Sequence, residues 1–514
     1  MFSIPDRVHA EPAIDTLLTP DDVSRGFRSW RETTTTSPSG RHLGHYKALI
    51  SNPDLLQCLT KFLHIALNKG IALARWSKAV NVMLEKDPGR PNVNRLRIIH
   101  LFEADYNLVL KIMWGSRLVK RAVALDLLHP CQHGSVPKHT TMDAIMLTQL
   151  STDLCRVSKI NLARFDNDAS ACYDRIIVAL AMLAARRCGM PSNAIRTHAE
   201  ALQFMQYTVK TIHGVSEESY QGTPYEPLFG TGQGSGASPA AWLSLVVLLM
   251  TTLDTIIPER MTFQSPDFTH SRLMDAFVDD TSLGFTDYGI LSSEEMIHKL
   301  NEIAQTWERL LSHSGGSLNL KKCYWHIMYW DWMDGRPALR PLHPTDPTIT
   351  LTQGSNSEEF TIQRNTHETS NRILGVHLNP LGDFSRHLTI MKDKADSYAI
   401  CLRSPKLTPS DVRIFHRSIY RPAMLYSLPA VAVDEELFAP VQSKILASIL
   451  NGIGVSRTIP TAIRHGPSSM GGLDLLDLRT EAGIHCLHQT SPGFYFLWIR
   501  NWKNDSHQSF PQPT

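Results

Sequence analysis

Two adjacent carboxylates interrupt an otherwise apolar run in RLMDAFVDDTSLGFTD, residues 272–287. Ala276, Phe277 and Val278 lead into Asp279 and Asp280, and Leu283, Gly284 and Phe285 follow. Two short apolar segments meeting at a polar centre read as a β-hairpin with the aspartates at its turn. That is a strong constraint. A greasy hairpin needs a sheet and a core around it, and two charges at its tip need solvent or a cation.

A third carboxylate is available upstream. Residues 160–168 read as a strand running into polar residues, and Asp168 stands where the strand ends, in ARFDNDASACYDRI. Asp166 and Asp174 compete for the same role. A carboxylate at a strand end and a pair in a hairpin turn can converge on one point. Such a cluster repels itself unless cations sit in it, and hard oxygen donors suit Mg²⁺, with Mn²⁺ as an alternative. Each piece alone also has a plainer reading, since a DD pair in a turn is commonly structural or solvated.

The 514 residues exceed one ordinary core, and 42% hydrophobic with 19% charged residues is globular rather than disordered. A net charge of +2 neither favours nor excludes a nucleic-acid partner, because a groove can be locally basic. The eight cysteines form no CxxC pair, so no zinc ribbon or disulfide framework is expected, and the setting reads as reducing and intracellular. MFSIPDRVHAEPAIDTLL lacks the apolar centre of a secretory signal. The most apolar run, Ala240–Met250, is shorter than the roughly 20 residues that span a bilayer. It reads as a buried core helix, with no membrane partner.

Periodicity predicts helices over 100–123, 174–188 and 293–313. Another helix starts at Thr408, with Pro409 in its first turn and Asp411 three residues after the cap. Pro337, Pro341, Pro344 and Pro347 make 335–366 read as an irregular insertion. RLVKR at 117–121, and Arg413, Arg417 and Arg421 at helical spacing, are basic segments that could track a phosphate backbone or form plain solvated faces.

In order along the chain, several stretches resemble the reverse transcriptase of non-LTR (LINE-like) retrotransposons. LEKDPGRPNVNRLRIIHLFEADYNLVLKIMWGSRL resembles the fingers segment of that family, and QHGSVPKHTTMDAI resembles its Q.GF..G.ST.DAI segment. FDNDASACYDRI resembles motif A, GQGSGASP motif B, FVDD motif C and GGSLNLKKC motif D. NRILGVHL resembles the segment near the primer grip, and YRPAMLYSLPAV and GGLDLLDL resemble the region after the polymerase core. The resemblance spans about residues 35–480. Phe277 stands where many relatives have tyrosine, and Cys172 where alanine is common. GTGQGSG is neither GxxxxGK[ST] nor GxGxxG, so a P-loop and a Rossmann fingerprint are excluded.

The resemblance implies an α+β right-hand polymerase with fingers, palm, thumb and a helical C-terminal region. Expected divisions are 1–75, an N-terminal helical extension; 76–160, fingers; 161–334, palm; 335–370, an irregular insertion or linker; 371–490, a thumb-like helical region; and 491–514, a tail. It implies RNA-directed DNA synthesis, in which dNTPs are added to a DNA primer on an RNA template. Asp168, Asp279 and Asp280 would hold two Mg²⁺ ions, Asp280 less directly, and Lys322 would assist the leaving pyrophosphate. Tyr173 would exclude a 2′-hydroxyl, or simply pack in the core. Gln233 and Gly234 would lie against the nucleotide or template, and Lys86 and Arg97 would bind triphosphate. No endonuclease or Cys/His module is visible, so the chain reads either as a fragment of a larger element or as a copy that takes nicked DNA from a separate endonuclease, with nuclear action at the integration site an expected location. Two alternatives stay open: a non-catalytic retroelement remnant that binds nucleic acid, and an RNA-dependent RNA polymerase.

Overall fold

The computed structural model describes residues 2–490 except 34–37, 87–88, 91, 93–95, 224, 265–268, 354–357 and 432, with 435 and 486–490 by backbone alone. Within the described residues the fold mixes helices with several small sheets, an arrangement compatible with the expected α+β class. The two larger sheets are built from β1 (Lys78–Glu85), β2 (Leu96–Leu101), β3 (Asn161–Asp168), β4 (Gln206–Thr211), β5 (Gly214–Val215), β6 (Met274–Phe277), β7 (Asp280–Asp287), β8 (Tyr324–Met328) and β9 (Gln363–Arg364). The helices that position the site are α1 (Thr141–Ser158), α2 (Val178–Arg187), α3 (Ser238–Ile256) and α4 (Ser293–His313). α5 (Ser385–Cys401) and α6 (Ala439–Gly452) belong to the C-terminal part.

The five-stranded sheet has the order β9-β8-β3-β7-β6. Its centre is β3, antiparallel to both neighbours, with Tyr324 opposite Asp166 on one side and Asp168 opposite Asp280 on the other. Seven of the eight β3 residues are buried, which fits a central strand covered on both faces. Most of its buried polar side chains find partners, although Asp166 Oδ2 and Asn167 Nδ2 have none. Arg164 donates to Asp166 at 3.2 Å and to Thr148 of α1 at 2.9 Å, and Ser282 donates to Asp166. From the other face, the Trp307 indole of α4 donates to Asn167 at 3.1 Å. The second sheet, β2-β1-β4-β5, lies earlier in the chain and pairs β1 with β4 in parallel.

The run Ala240–Met250 lies inside α3, whose side chains there are all buried. α3 is the one described helix long and apolar enough to cross a membrane, and it packs against α2 and α4. One core runs from Val8 to Ile362, so the N-terminal residues share it with both sheets. A second core joins Met391 and Ala395 of α5 to Ile445 and Ile449 of α6. Ile145 and Met146 of α1, with Val376, Leu378 and Phe384, link the two parts.

Several expectations need correction. Residues 335–370 are not an irregular linker: they contain short ladders and β9, and Ile349, Leu351 and Ile362 are buried in the main core. Of the residues expected in the palm stretch, Gln206–Lys210 pair with β1 and Gly214–Val215 pair with β4. The RLVKR arginines do not line a free basic face. Arg117 donates to Asp22 at 2.8 Å and to the Asp15 carbonyl at 2.6 Å, and Arg121 reaches the Val8 carbonyl at 3.0 Å. They fasten the N-terminal segment, whose carbonyls need donors once covered. The arginine stripe is also broken. Arg421 donates to Glu481 at 2.9 Å, and a π-helical turn at His416–Tyr420 shifts the i, i+4 register that would align it with Arg413 and Arg417. The Thr408 cap forms as expected, with a reciprocal Thr408–Asp411 box.

Candidate active site

The hairpin forms as the sequence predicts. β6 and β7 pair from Met274–Leu283 to Phe277–Asp280, leaving Val278 and Asp279 as a two-residue turn. Asp280 is thus the first residue of β7 and stands directly across from Asp168, the last of β3. The Ala169 amide donates to the Asp279 carbonyl at 3.1 Å, so the turn is fastened to the end of β3. Asp168, rather than Asp166 or Asp174, therefore meets the pair. Asp166 is engaged with Arg164 and Ser282. Asp174 accepts from the Gln233 amide at 3.2 Å and lies 3.6 Å from His100 Nε2.

The electrostatics show how closely the carboxylates act on one another. Burial raises the Asp280 carboxyl to about 7, helped by the charges of Asp279 and then Asp168. Asp279 is also raised, by burial first and then by Asp168. Lys322 opposes both shifts, and its ammonium lies 2.6 Å from Asp168 Oδ2. Its side chain is 65% exposed, so the ammonium can leave without disturbing the core. Among the described residues no three His, Cys, Asp or Glu side chains already form a metal cage. The donor set suits a hard divalent cation, and the excess of negative charge gives it a reason to bind. Cys172, beside Asp279, has its thiol pushed up by burial and stays protonated.

Tyr173 is half-buried and lines a cavity of about 320 Å³ with Trp30, Asn107, Lys111, Ser235 and Pro239. Its carbonyl accepts from Thr231, joining the segment after β3 to the 230–238 loop. Gln233 and Gly234 lie in that loop, but their backbones serve β2. The Gln233 carbonyl accepts from the His100 amide at 2.7 Å. Gly234 has φ +118°, and a Cβ there would sit 2.5 Å from the His100 carbonyl oxygen. Glycine is thus required for contact between the loop and the strand. Lys86 and Arg97 are exposed at the far end of the β1–β2 ladder, away from its His100 end, and are not brought to the carboxylates by any described bond.

Three residues escaped the sequence reading. His100 bridges β2, Asp174 and the loop. Trp242 of α3 donates its indole N–H to the Val278 carbonyl at 2.7 Å. Gly134 lies against the turn backbone, where a Cβ would be 2.2 Å from the Val278 nitrogen. The glycine of QHGSV was the one available signal, since glycine marks close backbone approach. No protein-family model matches the chain, and no curated protein matches it.

Proposed function

We propose that the chain is an RNA-directed DNA polymerase of right-hand architecture, similar to LINE-like reverse transcriptases. One observation carries the reading. The last residue of the central strand, Asp168, is register-paired with Asp280, and Asp279 sits in the turn between β6 and β7. The five-stranded sheet would be the palm, β1–β2 the fingers, and α5 with α6 part of the thumb. The order of the resembling motifs supports the same reading.

Asp168, Asp279 and Asp280 would hold the ions. Two bound Mg²⁺ ions would activate the primer 3′-hydroxyl and stabilise the departing pyrophosphate. Lys322 neutralises Asp168 until a cation takes over that role, and then has a proton to give to the leaving group. Tyr173 limits the space open to a ribose 2′-hydroxyl, and the adjoining cavity suits a base. Lys86 and Arg97 would reach the triphosphate from the end of the fingers ladder. RNA template, DNA primer and dNTPs are the implied partners.

A non-catalytic nucleic-acid-binding role is the second reading. It is favoured by the Lys322–Asp168 ion pair, which engages one of the three carboxylates. Primer extension with an RNA template, a DNA primer, Mg²⁺ and either dNTPs or NTPs separates the readings. Extension with dNTPs is expected. Extension with NTPs alone would make the chain an RNA polymerase, and tight primer–template binding without extension would favour the second reading.

A further inference from the structure

We propose that Trp242 is a positioning residue that, with Gly134, clamps the Val278–Asp279 turn in a strained backbone conformation. The inference rests on the reading of this turn as the carboxylate-bearing part of an active site. Val278 has φ +60°. A two-residue hairpin turn needs positive φ at its first central position, which glycine supplies freely and a β-branched residue resists. Strain of this kind persists only where the surroundings over-determine it.

The surroundings do so from two sides. The Trp242 indole, 2% exposed, donates to the Val278 carbonyl at 2.7 Å. That carbonyl belongs to the peptide leading into Asp279, so the bond fixes the direction in which Asp279 leaves the turn. At the amide end of Val278, Gly134 lets its own backbone form a floor. A side chain there would meet the Val278 nitrogen at 2.2 Å and Cγ2 at 2.6 Å. The floor is anchored to β6, because His133 donates to the Ala276 carbonyl at 2.8 Å and Ala276 donates to Cys131 at 2.9 Å.

Trp242 also ties the turn to the 230–238 loop. It lies one helical turn after Ser238, whose hydroxyl donates to the Thr231 and Gly232 carbonyls at 2.9 and 2.8 Å. A shift of that loop therefore moves the first turn of α3 and, through the indole, the backbone that carries Asp279.

The test combines Trp242→Phe with Val278→Gly in the full chain. Hydrogen exchange over residues 274–284 reads the turn, and Mn²⁺ affinity reads the carboxylates. Losing the indole donor should speed exchange and weaken Mn²⁺ binding by about fivefold, the worth of one buried hydrogen bond. In the Val278→Gly background the same loss should be under about twofold, because glycine holds positive φ unaided. Replacing Trp242 by 3-benzothienylalanine removes the N–H, keeps the ring shape, and covers the case in which phenylalanine disturbs the core. Equal effects in both backgrounds, or no effect of removing the donor, would overturn the clamp. If wild type binds no Mn²⁺, or Asp279→Ala binds it equally well, the active-site reading fails, while the exchange data still decide the clamp.

Discussion

Asp280 is the residue on which the site's chemistry shows most clearly. Its carboxyl sits at about 7 against an ordinary 3.8, through burial and two neighbouring carboxylates. In the metal-free protein the folded state therefore keeps a proton that the unfolded chain has released. This contribution is neutral below about pH 4, becomes steadily more unfavourable between about pH 4 and 7, and levels off above that. Asp280→Asn should stabilise the metal-free protein by on the order of 2 kcal/mol at pH 8 and by little at pH 4, read by urea unfolding. Equal gains at both pH values would mean that charge is not the cause. Tyr173 makes a second residue-level prediction. Tyr173→Val should raise NTP use relative to dNTP by on the order of tenfold, with primer–template affinity unchanged. A uniform fall in use of both nucleotides would assign Tyr173 to packing alone.

At the scale of elements, local signals were legible and distant pairings were not. The strand at 161–168, the hairpin, the helix at 293–313 and the Thr408 cap could all be read because period, turn and cap residues lie close together in sequence. The short strands within 335–366 could not, since each is only two to four residues long and prolines surround them. The arginines of 117–121 were misread because their acceptors, Asp22 and the carbonyls of Val8 and Asp15, lie about a hundred residues away. That reassignment is testable. Arg117→Ala should destabilise the fold by about 1–2 kcal/mol, because a partly buried, hydrogen-bonded charge pair is broken, and should leave the salt dependence of primer–template binding unchanged. Replacing the exposed Arg413 and Arg417 should instead lower the salt slope by roughly one for each phosphate no longer neutralised. A changed slope for Arg117→Ala would return that arginine to the nucleic-acid surface.

Across the whole molecule, one core carries the N-terminal segment, both larger sheets and α2 to α4, and it fixes the candidate site from several sides. The carboxylates were legible because aspartate pairs in apolar surroundings are conspicuous. The residues packed against the turn and the neighbouring loop, His100, Gly134 and Trp242, were not, because their contacts exist only after strands and helices far apart in sequence have packed. Everything proposed for the site depends on Asp168, Asp279 and Asp280 performing catalysis together. Single-turnover primer extension on an RNA template decides this, with wild type and Asp279→Asn compared after melting has shown each to be folded. Wild type should extend the primer, and the variant should lose at least about a thousandfold in rate, as expected when a group holding the reacting charges is removed. A variant rate within about tenfold of wild type would show that these carboxylates are not the catalytic centre.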